Sequence, residues 1–133
     1  MTIEERAKTA ADYKANGVCN CCQAVARVFS DKVKIGEESL MQLSSGFMGG
    51  MGCMEATCGA LIGAGMICGL ASEGKAGAKA SRELLTLFKE KCGATVCKDL
   101  KARNSETGKA LCECPDCVKN AVLSLGEVLH IAD

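Results

Sequence analysis

Eleven cysteines in 133 residues are the side chains here with the most chemical capacity. A deprotonated thiol is both a nucleophile and a soft metal ligand, so clustered cysteines point to metal binding or to thiol redox chemistry. Two C-x-x-C pairs stand out, Cys19/Cys22 and Cys114/Cys117. Either could act as an attacking and a resolving thiol, or as half of a metal knuckle. One buried cysteine is most often just a small hydrophobe, and Cys68, deep in an apolar run, is read that way. Inert packing by all eleven is not expected, given the clustering around Cys21, Cys58 and Cys117.

Spacing narrows the metal chemistry. The two C-x-x-C pairs lie far outside the separation of a zinc ribbon. Neither is followed by His, since Gln23 and Val118 stand there, which excludes c-type haem attachment. Copper storage along a helix would place thiols at i, i+4, whereas Cys53/Cys58 and Cys92/Cys97 are five apart. The methionines are read as core filling rather than copper ligands, with Met48, Met51 and Met54, beside the Gly-rich loop, left unassigned. Hydrolysis has little support: the single histidine, His130, lies near the end of the chain and is expected in solvent. The Gly-rich segment lacks a Walker Lys-Ser/Thr ending and no strand precedes it.

Composition sets the class of molecule. Sixteen basic and sixteen acidic residues cancel, and aromatic residues are only 3% of the chain, so neither the electrostatic nor the stacking footprint of a nucleic-acid binder is present. The longest apolar run, Cys58 to Leu70, has 13 residues and is too short for a membrane span. The charged opening Met1-Thr2-Ile3-Glu4-Glu5-Arg6 has no apolar stretch behind it, so a cytoplasmic protein with reduced thiols is expected. A hydrophobic content of 48% with one proline argues for a folded core.

The elements that must position the cysteines read as helices. Thr2 with Glu5 forms a capping-box pattern before the stripe Ile3, Ala7, Ala10, which ends at Asn16-Gly17. Asn20 caps a second helix with Cys21, Ala24, Val25 and Val28 on one face. Glu37-Glu38 open a short helix with Leu40 and Leu43 turned inward. Ten of the 15 glycines fall between Gly46 and Gly77. The first four form a loop, and Gly59, Gly63 and Gly65 lie in a central helix beginning near Thr57. Glycine inside a helix costs about 1 kcal/mol, which a close approach of a neighbouring backbone or cofactor would explain. A helix over 77–91 carries Ala80, Leu84, Leu87 and Phe88, a short turn covers 95–101, and a last helix starts at Pro115 with Val118, Ala121, Val122, Leu125 and Val128 inward. The expected fold is all-α: one domain over residues 1–133, a compact bundle of about five to six helices with a Gly-rich loop before the central helix.

Four cysteines then share a position. Cys21, Cys58, Cys97 and Cys117 each fall in the first turn of an expected helix, where free N–H groups and the helix dipole favour thiolate. Four such ends at about +0.5 each would offset a shared anionic centre of about −2.

The segment Cys58-Gly59-Ala60-Leu61-Ile62-Gly63 matches a Cys-Gly-Ala-x-x-Gly signature. With Asn20-Cys21-Cys22-Gln23-Ala24-Val25 before it, a Gly-rich stretch at Gly46 to Gly52, and Cys97 and Cys117 after it, the chain resembles the C_GCAxxG_C_C family of redox-active proteins. The resemblance runs nearly end to end. It implies a small redox module whose cofactor and metal ligands are Cys21, Cys58, Cys97 and Cys117, with no separate catalytic residue. Related modules inside larger haem-bearing electron-transfer proteins imply an iron–sulfur centre, [2Fe–2S] or [4Fe–4S], used for electron transfer or redox sensing with a protein redox partner. This chain departs by carrying seven further cysteines. Cys22 stands where the family usually has Ala, and Cys53, Cys112 and Cys114 crowd the site, so Cys22 or Cys114 could replace a neighbouring ligand. The alternative is a metal-free thiol–disulfide oxidoreductase or sensor using the C-x-x-C cysteines, and a third reading is a zinc- or copper-binding protein. A homodimer is compatible with the low charge and apolar-rich composition.

Overall fold

Helix starts are encoded locally, and the backbone follows them. The computed structural model describes residues 1–131, so the last two residues of the expected 1–133 domain lie outside it. Helix α1 (Ile3–Ala15) begins with a full capping box: the Glu5 N–H donates to Thr2 Oγ1 at 3.1 Å and the Thr2 N–H to the Glu5 carboxylate at 3.4 Å. Helix α2 (Cys21–Arg27) repeats the device with Asn20 and Gln23 at 2.9 and 3.2 Å. A 3-10 turn (Ser30–Lys32) leads to α3 (Glu37–Leu43), followed by α4 (Gly59–Ala71), α5 (Gly77–Cys92), α6 (Cys97–Lys101) and α7 (Cys114–Leu129), with Pro115 in the first turn of α7. Among the described residues there is no strand, only the isolated bridges Thr57–Val96 and Arg103–Ala110. The all-α bundle is as expected, with the short turn over 95–101 wound into α6 and the central helix starting at Gly59 rather than near Thr57. No described helix is long and apolar enough to cross a membrane.

Helix α7 is the spine, packed against α1, α2, α4 and α5. Its Val118, Ala121, Val122 and Leu125 are fully buried with Val25, Ile67, Leu84 and Phe88. The stripes read from the sequence therefore face the core, with one exception. In α3 only Leu40 is buried while Leu43 is half exposed, because this seven-residue helix packs mainly on α2 and offers one inward position. Of the methionines, Met41 packs against the core, whereas Met48, Met51 and Met54 are 48%, 53% and 42% exposed on a surface turn.

That turn is the Gly-rich segment. Gly49, Gly50, Met51 and Gly52 adopt consecutive left-handed φ values of 57°, 59°, 65° and 76°. Three glycines take this conformation without strain, whereas Met51, and Met54 at φ 66°, carry the steric cost of a left-handed L-residue.

One buried charge fixes the α1–α2 corner. Arg6 is 4% exposed; its guanidinium donates to the Val28 carbonyl and, at 2.6 and 2.7 Å, to both Asp31 carboxylate oxygens, while lying 5.3 Å from the Phe29 ring centre. Replacing Arg6 by Ala is expected to cost about 2–3 kcal/mol in urea denaturation, because the Val28 carbonyl loses its partner in the interior. Asp31→Asn, on the exposed side, should cost under about 1 kcal/mol. The Arg6 hydrogen bonds hold the Asp31 carboxyl down to about 2, so the stabilisation is complete above its ordinary value of 3.8 and fades as pH falls toward 2. An acid titration of stability should show that loss in the native protein and not in Arg6→Ala.

Candidate cysteine centre

Four structural elements converge on one cavity. Cys21 is the first residue of α2, Cys58 immediately precedes α4, Cys97 opens α6, and Cys117 lies in the first turn of α7 with its N–H on the Glu113 carbonyl at 2.9 Å. All four line a cavity of about 320 Å³, together with Cys114, Met48, Met54, Leu100, Lys14 and Lys101. Among the described residues, neither a carboxylate nor an imidazole is on its wall. The four cysteines are 2–7% exposed.

Backbone contacts set these positions. The Cys58 N–H donates to the Thr95 carbonyl at 2.8 Å and the Cys97 N–H to the Ala56 carbonyl at 3.0 Å, an antiparallel bridge that holds the two cysteines side by side. Glycines make room behind them. A Cβ on Gly59 would lie 2.6 Å from Cys21 Sγ and 2.7 Å from the Phe47 carbonyl oxygen, and one on Gly50 would lie 2.6 Å from Cys97 Cβ. Further along α4, a Cβ on Gly63 would sit 2.6 Å from the Cys22 carbonyl oxygen. Gly65, expected to serve the same purpose, has open space around it.

The sequence of this arrangement matches a family model described as "Putative redox-active protein (C_GCAxxG_C_C)" over residues 19–128. The chain belongs to this family. No curated protein and no solved structure matches it. The C_GCAxxG_C_C signature at Cys58 to Gly63 thus has a mechanical meaning: one thiol at the cavity wall and two glycines that let α4 lie against α2.

The extra cysteines sort by place. Cys114 joins the four on the cavity wall, with the Lys101 ammonium against its sulfur. Cys22 does not reach the wall; burial, then Cys21 and Cys58, push its thiol up to about 12. Cys19 accepts from the Arg27 guanidinium at 3.7 Å, Cys53 is exposed on the left-handed turn, and Cys68 is buried in α4 away from the cavity. His130 is exposed at the end of α7.

Local electrostatics favour charge at Cys58. A hydrogen bond from the Cys117 thiol, and then the Ala60 and Leu61 N–H groups and Lys101, bring it down to about 7 against its burial. Cys97 moves the other way, chiefly through burial. Cys117 is held strongly protonated by its contacts with Cys112, Cys58 and Cys92 and by burial, and its sulfur lies 3.5 Å from the Cys112 carbonyl oxygen. The contribution of helix dipoles is smaller than four equal ends would give: α2 has seven residues and α6 five, leaving α4 and α7 with substantial dipoles.

A second group was not visible in the sequence. The sulfurs of Cys92, Cys112 and Cys117 lie within 4.8 Å of one another, all buried. Cys92 ends α5 and the other two flank the start of α7, so no local spacing links the three.

The glycine contacts give a paired test. Gly59→Ala should destabilise by about 1–3 kcal/mol, because its Cβ meets the Phe47 backbone as well as Cys21. Gly65→Ala, mid-helix with free space, should stabilise by about 0.5–1 kcal/mol. Thermal melts of the two variants should shift in opposite directions.

Proposed function

We propose that the cavity holds an iron–sulfur cluster on Cys21, Cys58, Cys97 and Cys117, and that the protein transfers or senses electrons through it with a protein redox partner. The observation that carries this reading is the convergence of four thiols from four separate elements on one cavity free of harder donors. The room behind the thiols supports it too, since Gly50 and Gly59 stand where any side chain would displace Cys97 or Cys21. When bound, an iron–sulfur cluster supplies one-electron redox chemistry at a potential set by its surroundings.

The chain's own residues do the rest. Lys14 and Lys101 bring positive charge to a wall of thiols. Met48, Met54 and Leu100 give the wall an apolar lining, which raises the effect of each nearby charge and hydrogen bond. Cys117, hydrogen-bonded to Cys58, couples two ligands directly, so a proton lost from one is felt by the other. Eleven free thiols fit a reducing compartment, and the reading places the protein in the cytoplasm.

A second reading draws on one specific contact. Lys101 on the Cys114 sulfur favours a thiolate three residues from Cys117 on the same wall, the arrangement of an attacking and a resolving thiol. The other pair is less suited, since Cys22 is fully buried and held protonated.

Anaerobic purification or iron–sulfide reconstitution should yield a brown protein with broad visible absorbance and near-equal iron and sulfide. Cys58→Ser should lose most of that iron while far-ultraviolet circular dichroism stays close to native. Equal iron per chain in the variant would overturn the assignment. Under the second reading, metal-free protein would instead lose two thiols reversibly on mild oxidation, and Cys114→Ser would abolish that loss.

A further inference from the structure

The four-cysteine reading leaves Cys92 and Cys112 without a role. Cys92 closes α5 just before Gly93, which turns the chain at φ 93°. Cys112 is fastened to α6 through its N–H on the Leu100 carbonyl at 3.0 Å. Cys117 is fixed by the first turn of α7. Three elements thus present three sulfurs to one point, within 4.8 Å of one another and 2–8% exposed.

The surroundings define the ligand. Among the described residues no carboxylate or imidazole belongs to the group. Asn120, three residues after Cys117 on α7, directs its amide Nδ2 to Cys92 Sγ at 3.3 Å, so this polar side chain acts as a donor to sulfur. A groove of about 510 Å³ reaches Cys112 and Asn120 from a side that shares no lining residue with the main cavity, and Lys91, Lys109 and Lys119 stand along it with Glu113 and Asp116. The site therefore offers three soft thiols and its own route from solvent.

We propose that Cys92, Cys112 and Cys117 form a second metal site that binds one Cu+ ion in three-coordinate, all-thiolate geometry. With metal–sulfur bonds of about 2.3 Å, a trigonal arrangement needs sulfurs about 4 Å apart, which falls within the 4.8 Å that bounds this group. Zn2+ is disfavoured because structural zinc takes four ligands and the group provides three. Cu2+ is disfavoured because it takes nitrogen and oxygen donors in a tetragonal field. Loading exchanges protons for metal with no change of oxidation state: Cu+ and three thiols give a tris-thiolate carrying two negative charges and three released protons, beside a groove whose lysines Lys91, Lys109 and Lys119 outnumber its carboxylates Glu113 and Asp116. Cys117 also lines the main cavity, and a thiolate sulfur has lone pairs for two metal ions, so the sites meet at one bridging residue. The inference does not rest on the cluster reading.

The test uses the full chain in a Cys21→Ser/Cys58→Ser/Cys97→Ser/Cys114→Ser background, which leaves Cys117 as the one thiol of the main cavity wall and keeps the trio. Anaerobic titration with Cu+ against a colorimetric Cu+ chelator should show one tightly held ion, and X-ray absorption should show three sulfur neighbours. Adding Cys112→Ser, at the groove, or Cys92→Ser should weaken that ion by more than about 100-fold, with helix content checked by circular dichroism. Unchanged affinity in both added variants, a four-sulfur shell, or preference for Zn2+ over Cu+ in direct competition would each overturn the proposal. Iron–sulfide reconstitution of Cys92→Ser and Cys112→Ser separates the two sites. Retained iron assigns the trio its own metal, and lost iron makes it part of the cluster site and overturns a separate copper site. Failure of the native chain to take up iron, with copper binding intact, would sink the cluster reading alone.

Discussion

The contact on which this structure depends is the approach of α4 to α2 at Gly59 and Gly63. A Cβ at either position would overlap atoms of Cys21 or of the Cys22 carbonyl at 2.6 Å. Helix backbones can come this close only where side chains are missing, and α4 accepts the helix-propensity cost of glycine to achieve it. The result is that the sulfur at the start of α2 faces the sulfur at the start of α4. Once those two are placed, the Thr57–Val96 bridge brings in Cys97 and the packing of α7 on α2 and α4 brings in Cys117.

The cavity that results is soft in the chemical sense and nearly free of competing donors. Burial disfavours thiolate, and Cys22 and Cys97 feel that directly. Cys58 escapes because hydrogen bonds from the Cys117 thiol and from the first amides of α4 meet its sulfur. The protein therefore keeps one thiol poised for ionisation among neighbours that stay protonated, an arrangement suited to a centre assembled by metal rather than by free anions. The left-handed turn at Gly49 to Gly52 closes one side of this cavity, and Met51 and Met54 bear the backbone strain that shape requires.

Much of this was legible beforehand. The capping residues Thr2 and Asn20, Pro115 in the first turn of α7, and the apolar stripes of α1, α2, α5 and α7 act within a few residues, so sequence alone reports them. Other positions needed the packing. Leu43 fits the period of an inward stripe, but a short helix packed mainly on α2 buries only Leu40. Met48, Met51 and Met54, which the sequence left unassigned, ride on a turn whose left-handed path keeps them at the surface.

The sequence by itself determined the helical class, the starts of the helices to within about two residues, the family, and which cysteines stand near those starts, because each depends on spacing over one or two turns. The tertiary structure alone decided that Cys114 reaches the cavity and Cys22 does not, that Gly59 and Gly63 are contact points while Gly65 is not, and that Cys92 and Cys112 meet Cys117. Those outcomes depend on how α5, α6 and α7 pack, and the distance between two sulfurs on different helices is set by that packing rather than by their separation along the chain.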